Sequence, residues 1–412
     1  MPAPEGLYHA VCARLERCWP IAGRSHPALR RLSLLITGLI AARSCVLAQI
    51  AAELWALEVT GATAVASIER RLRRTLSDAR LSAPSCYQAE LAPMLDWPTL
   101  LQGSRRVVLA LDESSCGAAY HLLRVSLTYW GGALPLAWAV WEQNVPQPPG
   151  HYWAQIDRVL AEVAALLPPG VDVVVVADRA YDIAPLVQRL QAWGWHWAIR
   201  AKAYGARRVR DRHGRERALC HLVRRHLPRP GRRWKLRGHL FKAAGWIPTS
   251  VVGEWAPGMA EPVVVLTDLP PRWTALTWYE RRFWIEPGFR TDKTHGWQWE
   301  QSQVQGLAHH TRLVLAMAWA SLLMLVLGVA EAQRRLAVVA HRPRRGPRRP
   351  GRPRHARGSL FTLGLQQVRR WLYGTTAGPL RWWLPALDAP SWRDQWYRAQ
   401  ARQRLRFQTV RP

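Results

Sequence analysis

The sequence predicts a mixed α/β fold, in which a five-stranded sheet with flanking helices follows an all-helical N-terminal region and precedes a basic helical tail. Apolar residues recur at spacings of three and four over residues 1–92, as they do on the buried face of a helix. Over residues 93–200, strand-length apolar runs alternate with such helical segments. The chain has 412 residues and is 49% hydrophobic, which is enough for two or three domains with a sizeable core.

The N-terminal region contains two short helical segments around a turn of small residues. LAQIAAEL (residues 47–54) is followed by TGAT and then by ASIERRLRRTLSD (residues 66–78). This arrangement, with arginines in the second segment, predicts a helix-turn-helix near residues 47–78. An ordinary solvated helix is the alternative. The residues that would contact DNA are the arginines of the second segment: Arg70, Arg71, Arg73 and Arg74.

Five strands are predicted in residues 93–200, the first part of the core. The runs RRVVLALD, HLLRVSLTYW and ALPLAWAVW are typical of strands, and Gly131 and Gly132 join the last two in a hairpin turn. VDVVVVAD (residues 171–178) and WHWAIR (residues 195–200) each follow a predicted helix. Three antiparallel strands followed by two parallel crossovers is the strand order of a ribonuclease H-like sheet.

The remaining sequence indicates three further regions. Residues 201–275 lack the helix–strand alternation and predict a β-rich insertion. Helical sequence resumes over residues 276–332, which form the second part of the core. Residues 333–412 are rich in arginine, proline and glycine at their start and predict a basic linker followed by a C-terminal helical tail.

The charge of the chain indicates its partner. The net charge is +30, and only four of the 58 cationic side chains are lysines. A chain this basic most often binds nucleic acid, and an anionic membrane surface is the other common partner. The six cysteines form no CxxC pair, so a structural zinc site is not expected. The N-terminus lacks the pattern of a secretory signal, and we expect a reduced, cytoplasmic protein.

One apolar segment has two interpretations. Residues 313–330 are 18 residues without a charge, which is the lower bound for a membrane-spanning helix. A helix buried in a protein core is hydrophobic all round too. The segment contains a serine, a glycine and four alanines and directly follows polar sequence. We therefore expect a buried helix and no membrane attachment.

Acidic residues follow two of the predicted strands. Asp112 and Asp178 end strands that are neighbours in the expected sheet, so their carboxylates should lie side by side. Hard oxygen ligands suit Mg²⁺, for which Mn²⁺ may substitute, and Glu286 would complete a site for two ions that promotes phosphoryl transfer. The alternative for each aspartate is a simple turn or cap. Four nearby acids compete for the same role: Glu113, Asp182, Glu280 and Asp292.

The segment YERRFWIEPGFRTDK supplies the expected third carboxylate together with three other polar groups. In one regular helix, Tyr279, Arg282, Glu286 and Lys293 would share a stripe about 60° wide. Arginine, lysine and tyrosine beside a metal site suit contacts with substrate phosphates. Pro287 and Gly288 leave a second arrangement open, in which one helix ends near Glu286 and another begins.

This spacing, Tyr-x2-Arg-x3-Glu-x6-Lys, resembles the signature of the insertion-sequence-four family of DDE transposases. ALDESS around Asp112 and ADRAYD around Asp178 are similar to the family's two aspartate motifs. The resemblance implies cut-and-paste transposition, with strand hydrolysis at transposon ends, a hairpin intermediate and strand transfer into target DNA. It implies metal ligation by Asp112, Asp178 and Glu286, and DNA contacts from the rest of the signature: Tyr279, Arg282 and Lys293.

The resemblance also implies partners and location. The expected partners are double-stranded DNA, both terminal inverted repeats and target, and a second copy of the chain in a homodimeric synaptic complex. A transposase of this kind would be associated with the bacterial nucleoid. The alternative is a non-catalytic, sequence-specific DNA-binding protein derived from a transposase.

Overall fold

A computed structural model describes residues 3–18, 27–61, 64–102, 106–117, 119–202, 207–341 and 359–373, with residues 384 and 395. Most of the basic tail predicted for residues 333–412 lies outside these ranges.

The N-terminal region consists of helices. Its α-helices are α1 (Ala3–Cys18), α2 (Pro27–Ala42), α3 (Leu47–Ala56), α4 (Val65–Ser77), α5 (Ala89–Met94) and α6 (Trp97–Leu100), with a π-helical turn at Pro84–Gln88. The helices α3 and α4 lie where the helix-turn-helix is predicted. The connection between them, residues 57–64, is longer than the three or four residues of that motif's usual turn.

The amphipathic pattern of α4 explains its orientation. Ile68, Leu72 and Leu76 recur at a spacing of four and are buried. They pack the helix against its neighbours α2 and α3. The four predicted DNA-binding arginines of α4 are exposed on the outer side. Arg73 forms a hydrogen-bonded ion pair with Glu69 of the same helix. The buried spacing of α4 thus leaves its basic side toward solvent.

A single mixed sheet forms the centre of the structure. Its strands are β1 (Arg106–Cys116), β2 (Tyr120–Tyr129), β3 (Gly132–Glu142), β4 (Asp172–Ala177), β5 (His196–Arg200), β6 (Arg208–Arg210), β7 (Glu216–Ala218), β8 (Arg232–Leu240), β9 (Ile247–Trp255) and β10 (Val263–Thr267). The helices between strands are α7 (His151–Ala164), α8 (Ala184–Ala192) and α9 (Leu219–His226). The strand order is β3-β2-β1-β4-β5-β10-β9-β8-β6-β7. The strand β4 is parallel to β1 and to β5, and the other neighbours are antiparallel.

The prediction of a five-stranded sheet is wrong in one respect, because the sheet has ten strands in the described residues. The five predicted strands are present, but those of the insertion continue the same sheet. The strand β10 pairs with β5 through Val265 opposite Arg200 and Leu266 opposite Ile199. An unpaired sheet edge exposes hydrogen-bonding backbone groups. The insertion satisfies those groups on β5.

Two helices complete the core. The helix α12 (Leu307–His341) packs between β3 and the N-terminal helices α2 and α4. By length and composition alone it could span a membrane, but 89% of its most apolar stretch is buried inside the protein. This burial favours the core-helix interpretation. The predicted region boundary at residue 332 falls inside α12, and α13 (Leu360–Tyr373) packs along this helix.

Two glycines allow α12 and α13 to touch backbone to backbone. A Cβ atom on Gly328 would lie 1.9 Å from the carbonyl oxygen of Leu360, and one on Gly364 would lie 2.0 Å from that of Met324. We expect Gly328→Ala or Gly364→Ala to lower the free energy of unfolding by at least about 2 kcal/mol, because the helices must separate. Thermal or denaturant unfolding measures the loss. Gly6→Ala in α1, where an added Cβ meets nothing within 4 Å, is the matched control; equal stability of all three variants would contradict the close contact.

Candidate active site

Asp112 and Asp178 occupy equivalent positions on neighbouring strands. The parallel pairing of β1 with β4 ends at Leu111 opposite Ala177, and the two aspartates come next in each chain segment. The side chains therefore lie at the same edge of the parallel part of the sheet. Asp178 directly follows its strand and caps the next turn, where its Oδ1 accepts a hydrogen bond of 2.7 Å from the Ala180 amide.

The prediction that Asp112 ends its strand is wrong. The strand β1 continues to Cys116, because beyond Asp112 it still pairs with β2, as far as Cys116 opposite Tyr120. Asp112 lies at the point where the partner strand on one side stops and the partner on the other side continues. Its carboxylate is largely buried, with 11% of the side chain exposed.

The signature segment is a chain of short helical pieces. It comprises α10 (Thr274–Glu280), a 3₁₀ turn (Arg281–Trp284), α11 (Glu286–Arg290) and a π-helical turn (Thr291–His295). The single regular helix on which the stripe prediction depends is therefore absent from this described segment. Pro287 lies in the first turn of α11, where its missing N–H costs no hydrogen bond. The second arrangement left open by the sequence is the observed one.

The guanidinium of Arg282 connects the three candidate carboxylates. Its Nη2 lies 3.0 Å from Asp112 Oδ2 and 3.9 Å from Asp178 Oδ2. Its Nη1 lies 2.5 Å from Glu286 Oε1, one helical turn along the chain. The 3₁₀ turn contacts β1, β2 and β4, which brings Arg282 over the two aspartates. The acids predicted to share one site thus converge on one cation.

Burial and repulsion raise the pKa of Asp112 to about 6. Burial is the larger cause, the carboxylates of Asp178 and Glu286 add to it, and the charge of Arg282 opposes it. Around the Arg282 guanidinium, three carboxylates face one positive charge. The site therefore has an unbalanced negative charge when all three acids are ionised.

The donor set fits a hard divalent cation, although the side chains are not arranged around one. In the described ranges no three His, Cys, Asp or Glu side chains are close enough together to hold a metal ion. The three carboxylates nevertheless point at one cationic centre, the Arg282 guanidinium. Carboxylate oxygens are the ligands that Mg²⁺ and Mn²⁺ prefer.

The other two signature residues lie differently. Tyr279 is buried, with 2% of its surface exposed, and its ring packs edge-on against Phe283 at 5.7 Å between centroids. Burial raises the pKa of Tyr279, and Arg200 and Arg282 oppose the rise. Lys293, in the π-helical turn, lies close enough to Cys116 to oppose the burial that raises that thiol's pKa to about 11. The structure therefore groups Arg282 and Glu286 with the aspartates and leaves Lys293 toward another part of β1.

The sequence did not predict a half-buried hydrogen-bond cluster around Glu113, the residue after Asp112. Glu113 Oε1 accepts hydrogen bonds from the hydroxyls of Tyr152 at 2.6 Å and Tyr181 at 2.7 Å, and Oε2 lies 2.5 Å from His121 Nε2. Burial acts to raise the pKa of Glu113, but these hydrogen bonds outweigh it and lower the pKa. Tyr181 follows Asp178 by three residues, so its bond to Glu113 joins the two aspartate-bearing segments.

Two of the competing acids are themselves buried and have structural partners. Asp182 accepts a hydrogen bond from the Lys202 amide and pairs with Arg207. Asp292 Oδ2 accepts a bond of 2.6 Å from Arg124 of β2, with both side chains under 5% exposed. Glu280 lies at the end of α10, where burial and then Glu254 raise its pKa. None of these three acids contacts Arg282 in the hydrogen bonds and ion pairs of the described residues.

A wide groove is lined in part by the signature segment. Its volume is about 740 Å³, and Pro287, next to Glu286, forms part of its wall. Its cationic lining consists of Arg43, Arg290, Arg369 and, when protonated, His295, and its aromatic lining of Trp130, Phe283, Trp284 and Phe361. Among the described residues that line it, none is acidic. The groove therefore presents positive charge and aromatic surface directly beside the carboxylate site.

Comparison with known proteins finds a family match in the middle of the chain. Residues 154–323 match the family described as the transposase DDE domain, a range that includes Asp178 and Glu286 but begins after Asp112. No curated protein matches the chain. Among solved structures, similarity is found to the cryo-EM structure of a piggyBac transposase synaptic complex with hairpin DNA. That match covers 90% of this chain and 80% of the other, with a TM-score of 0.41 and 8% sequence identity.

Proposed function

We propose that this chain is a DNA transposase that cleaves and joins DNA strands by metal-assisted phosphoryl transfer. The observation that carries the proposal is the convergence of Asp112, Asp178 and Glu286 on one cationic centre at the edge of the sheet. The family match to the transposase DDE domain over residues 154–323 supports the same assignment. The likeness of the segment around Arg282 to the insertion-sequence-four signature is the finer part of the proposal.

The three carboxylates would hold one or two Mg²⁺ ions, with Mn²⁺ as a substitute. When bound, such ions activate the attacking oxygen and stabilise the leaving oxygen of an in-line displacement. Asp112 supplies a carboxylate fixed by the sheet, and Asp178 one fixed by its cap on the following turn. The hydrogen bonds of Tyr152 and Tyr181 to Glu113 hold the two segments together. If the Arg282 guanidinium left the carboxylates, it would be placed to bind a phosphate.

The strand arrangement supports a ribonuclease H-like core. The strands β3-β2-β1-β4-β5 follow the order expected for that fold, with the insertion strands added beyond β5. In that arrangement the carboxylates would stand on the two central strands, with Glu286 on the helical segment that crosses them. We propose that residues 93–200 and 276–332 together form this core.

DNA is the proposed substrate. The net charge of +30, the exposed arginines of α4 and the acid-free groove all favour a polyanion. Double-stranded transposon ends and target DNA are the proposed partners, with two copies of the chain in a synaptic complex and a hairpin intermediate. The burial of α12 favours a chain without membrane attachment, and we place it in the bacterial cytoplasm at the nucleoid.

The groove arginines provide a test of DNA contact. We expect the double variant Arg290→Gln, Arg369→Gln to bind DNA more weakly, with the slope of log K against log salt reduced by about two, because each phosphate contact contributes about one. Fluorescence anisotropy across a salt series measures the slope. Arg229→Gln together with Arg212→Gln, two exposed arginines outside the groove, is the control for loss of charge alone. Equal slopes for the two double variants would remove the groove from the DNA interface.

A cleavage assay tests the proposed activity. The chain is incubated with supercoiled DNA carrying the sequences that flank its own gene, in Mg²⁺, in Mn²⁺ and in EDTA. We expect nicked or linear product only with metal, with ends that map to short inverted repeats. DNA binding without any metal-dependent product would contradict the enzyme assignment.

One observation favours the alternative, a non-catalytic DNA-binding protein derived from a transposase. Arg282 already pairs with the acids that would hold the ions, and no metal-ready cluster of three is present in the described part of the chain. In such a protein the three carboxylates would serve only to hold the signature segment on the sheet. Binding to DNA would then be insensitive to metal.

A further inference from the structure

Arg282 differs from an ordinary phosphate-binding arginine, because its guanidinium is directed inward. Only 12% of its side chain is exposed, and both terminal nitrogens face carboxylates. Its Nε is buried and forms no hydrogen bond to any described residue. The acids are therefore the hydrogen-bonding anchors of this side chain among the described residues, and its guanidinium also lies 5.4 Å from the centre of the Phe283 ring.

The charges around Arg282 indicate that a divalent cation could take the place of its guanidinium. Three carboxylates carry −3 and the guanidinium carries +1, so the cluster keeps a net charge of −2 when all acids are ionised. A divalent cation at the same centre compensates that charge better and binds carboxylate oxygens directly. The oxygens Asp112 Oδ2 and Glu286 Oε1 now face Arg282 and would be the natural metal ligands. Arg282 and a metal ion thus compete for the same oxygens.

We propose that Arg282 is a resident cation that holds the three carboxylates together until metal ions displace it. This inference rests on the proposed function of the same site. With Asp112, Asp178 and Glu286 holding metal ions, the Arg282 guanidinium would lose its carboxylate partners and become available to a DNA phosphate. Metal binding and phosphate binding are coupled through this one side chain. The exchange involves no covalent step.

Glu286 can follow a movement of Arg282 without a rearrangement of the buried strands. It lies four residues after Arg282 and has 43% of its side chain exposed, against 11% for Asp112. Its contact with the cluster is the hydrogen bond from Arg282, and it is the first residue of a separate helical piece, α11. Movement of Arg282 therefore frees Glu286 to turn toward the aspartates as a ligand, without unfolding the buried strand positions.

The test measures Mn²⁺ binding by the full chain without DNA. Isothermal titration calorimetry compares wild type with Arg282→Gln, and melting temperatures are recorded in EDTA and in Mn²⁺. We expect Arg282→Gln to bind Mn²⁺ at least about tenfold more tightly, because the competing charge a few ångströms away is gone. We also expect its melting temperature to fall in EDTA and to rise further than that of wild type when Mn²⁺ is added, because its unpaired carboxylates repel one another.

Two further variants make the result specific. Arg281→Gln removes the same charge from the neighbouring position, where the guanidinium lies over Trp284, and should leave Mn²⁺ affinity within about twofold of wild type. Arg282→Lys keeps the charge but not the forked geometry, and we expect an affinity between those of wild type and Arg282→Gln. This variant decides the question if Arg282→Gln does not fold.

The outcomes separate this inference from the proposed function. If wild type binds Mn²⁺, Asp112→Asn abolishes that binding and neither Arg282 variant binds more tightly, the resident-cation inference is wrong and the metal site stands. If Mn²⁺ binding is absent from wild type and from every variant, both the inference and the proposed function are overturned. Tighter binding by Arg282→Gln that Asp112→Asn reverses supports both.

Discussion

Replacing Asp112 by asparagine is expected to abolish metal-dependent DNA cleavage and to leave DNA binding nearly unchanged. The substitution keeps the shape of the side chain, so it fits the same position on β1. It removes the charge that would bind a metal ion. Metal ions stabilise transition-state charge by several kcal/mol, and each 1.36 kcal/mol is a factor of ten in rate. We therefore expect a loss of about 10³-fold or more in the cleavage rate.

The control for this variant is the same chemical change at the surface. Asp157 lies on α7, is half exposed and pairs with Arg189. Asp157→Asn should cleave at the wild-type rate. Glu286→Gln is expected to match Asp112→Asn in the cleavage assay, because both would be ligands of the same ions. Wild-type cleavage by either Asp112→Asn or Glu286→Gln would remove that residue from the site, while a mobility-shift assay confirms that the variant still binds DNA.

The placement of Asp112 beside Asp178 could be predicted from the sequence, because it depends on strand order. Apolar runs and helical periodicity fix which strands lie side by side, and parallel neighbours bring their carboxyl ends to one edge. The residue at which β1 ends could not be predicted in this way. Whether β1 stops after Asp112 depends on its pairing with β2, which continues through polar residues to Cys116.

The signature segment shows where periodicity fails. A stripe calculated at 100° per residue assumes one regular helix, but a 3₁₀ turn before Glu286 and a π-helical turn around Lys293 change the angle per residue. Pro287 and Gly288 are the marks of this break in the sequence. The contact of Arg282 with three acids could not be read from spacing, because it depends on the packing of that turn against three strands.

The insertion shows a different limit. Its strands were predicted from local pattern, but their partners were not, because pairing joins residues far apart in sequence. Val265 meets Arg200 across 65 positions, and nothing in WHWAIR marks its free edge as the acceptor of a strand. By contrast, the interpretation of residues 313–330 as a buried helix needed only composition and neighbouring polarity, and the structure buries this segment in the core.

A buried ion pair between Arg124 and Asp292 connects the signature segment to the sheet. Breaking this pair is expected to cause a large loss of stability. Arg124 of β2 lies directly opposite Asp112 of β1, so the two side chains share one face of the sheet. Arg124 reaches Asp292 at 2.6 Å, and its guanidinium lies 4.9 Å from the centre of the Phe289 ring. Both Asp292 and Phe289 belong to the segment that carries Glu286. The pair therefore connects the strand beside Asp112 to the third candidate ligand.

Asp292→Ala is expected to lower the free energy of unfolding by about 3–5 kcal/mol, because it leaves the buried Arg124 charge without its partner. Thermal denaturation measures the loss, and Asp157→Asn again provides the exposed control. The double variant Arg124→Met, Asp292→Leu removes both charges and should recover most of the stability, since buried ion pairs are often replaceable by apolar residues. A double variant as unstable as Asp292→Ala would show that the pair is not the cause.

A cleavage assay distinguishes whether the Arg124–Asp292 pair positions Glu286 or only stabilises the fold. In the double variant the apolar side chains fill the space but do not fix the direction of the π-helical turn through a charge-assisted hydrogen bond. Glu286 would then be held less accurately over the aspartates, and we expect cleavage to remain at least about tenfold below wild type even where the melting temperature is restored. Full recovery of both properties would mean that packing of Phe289 and its neighbours alone positions Glu286.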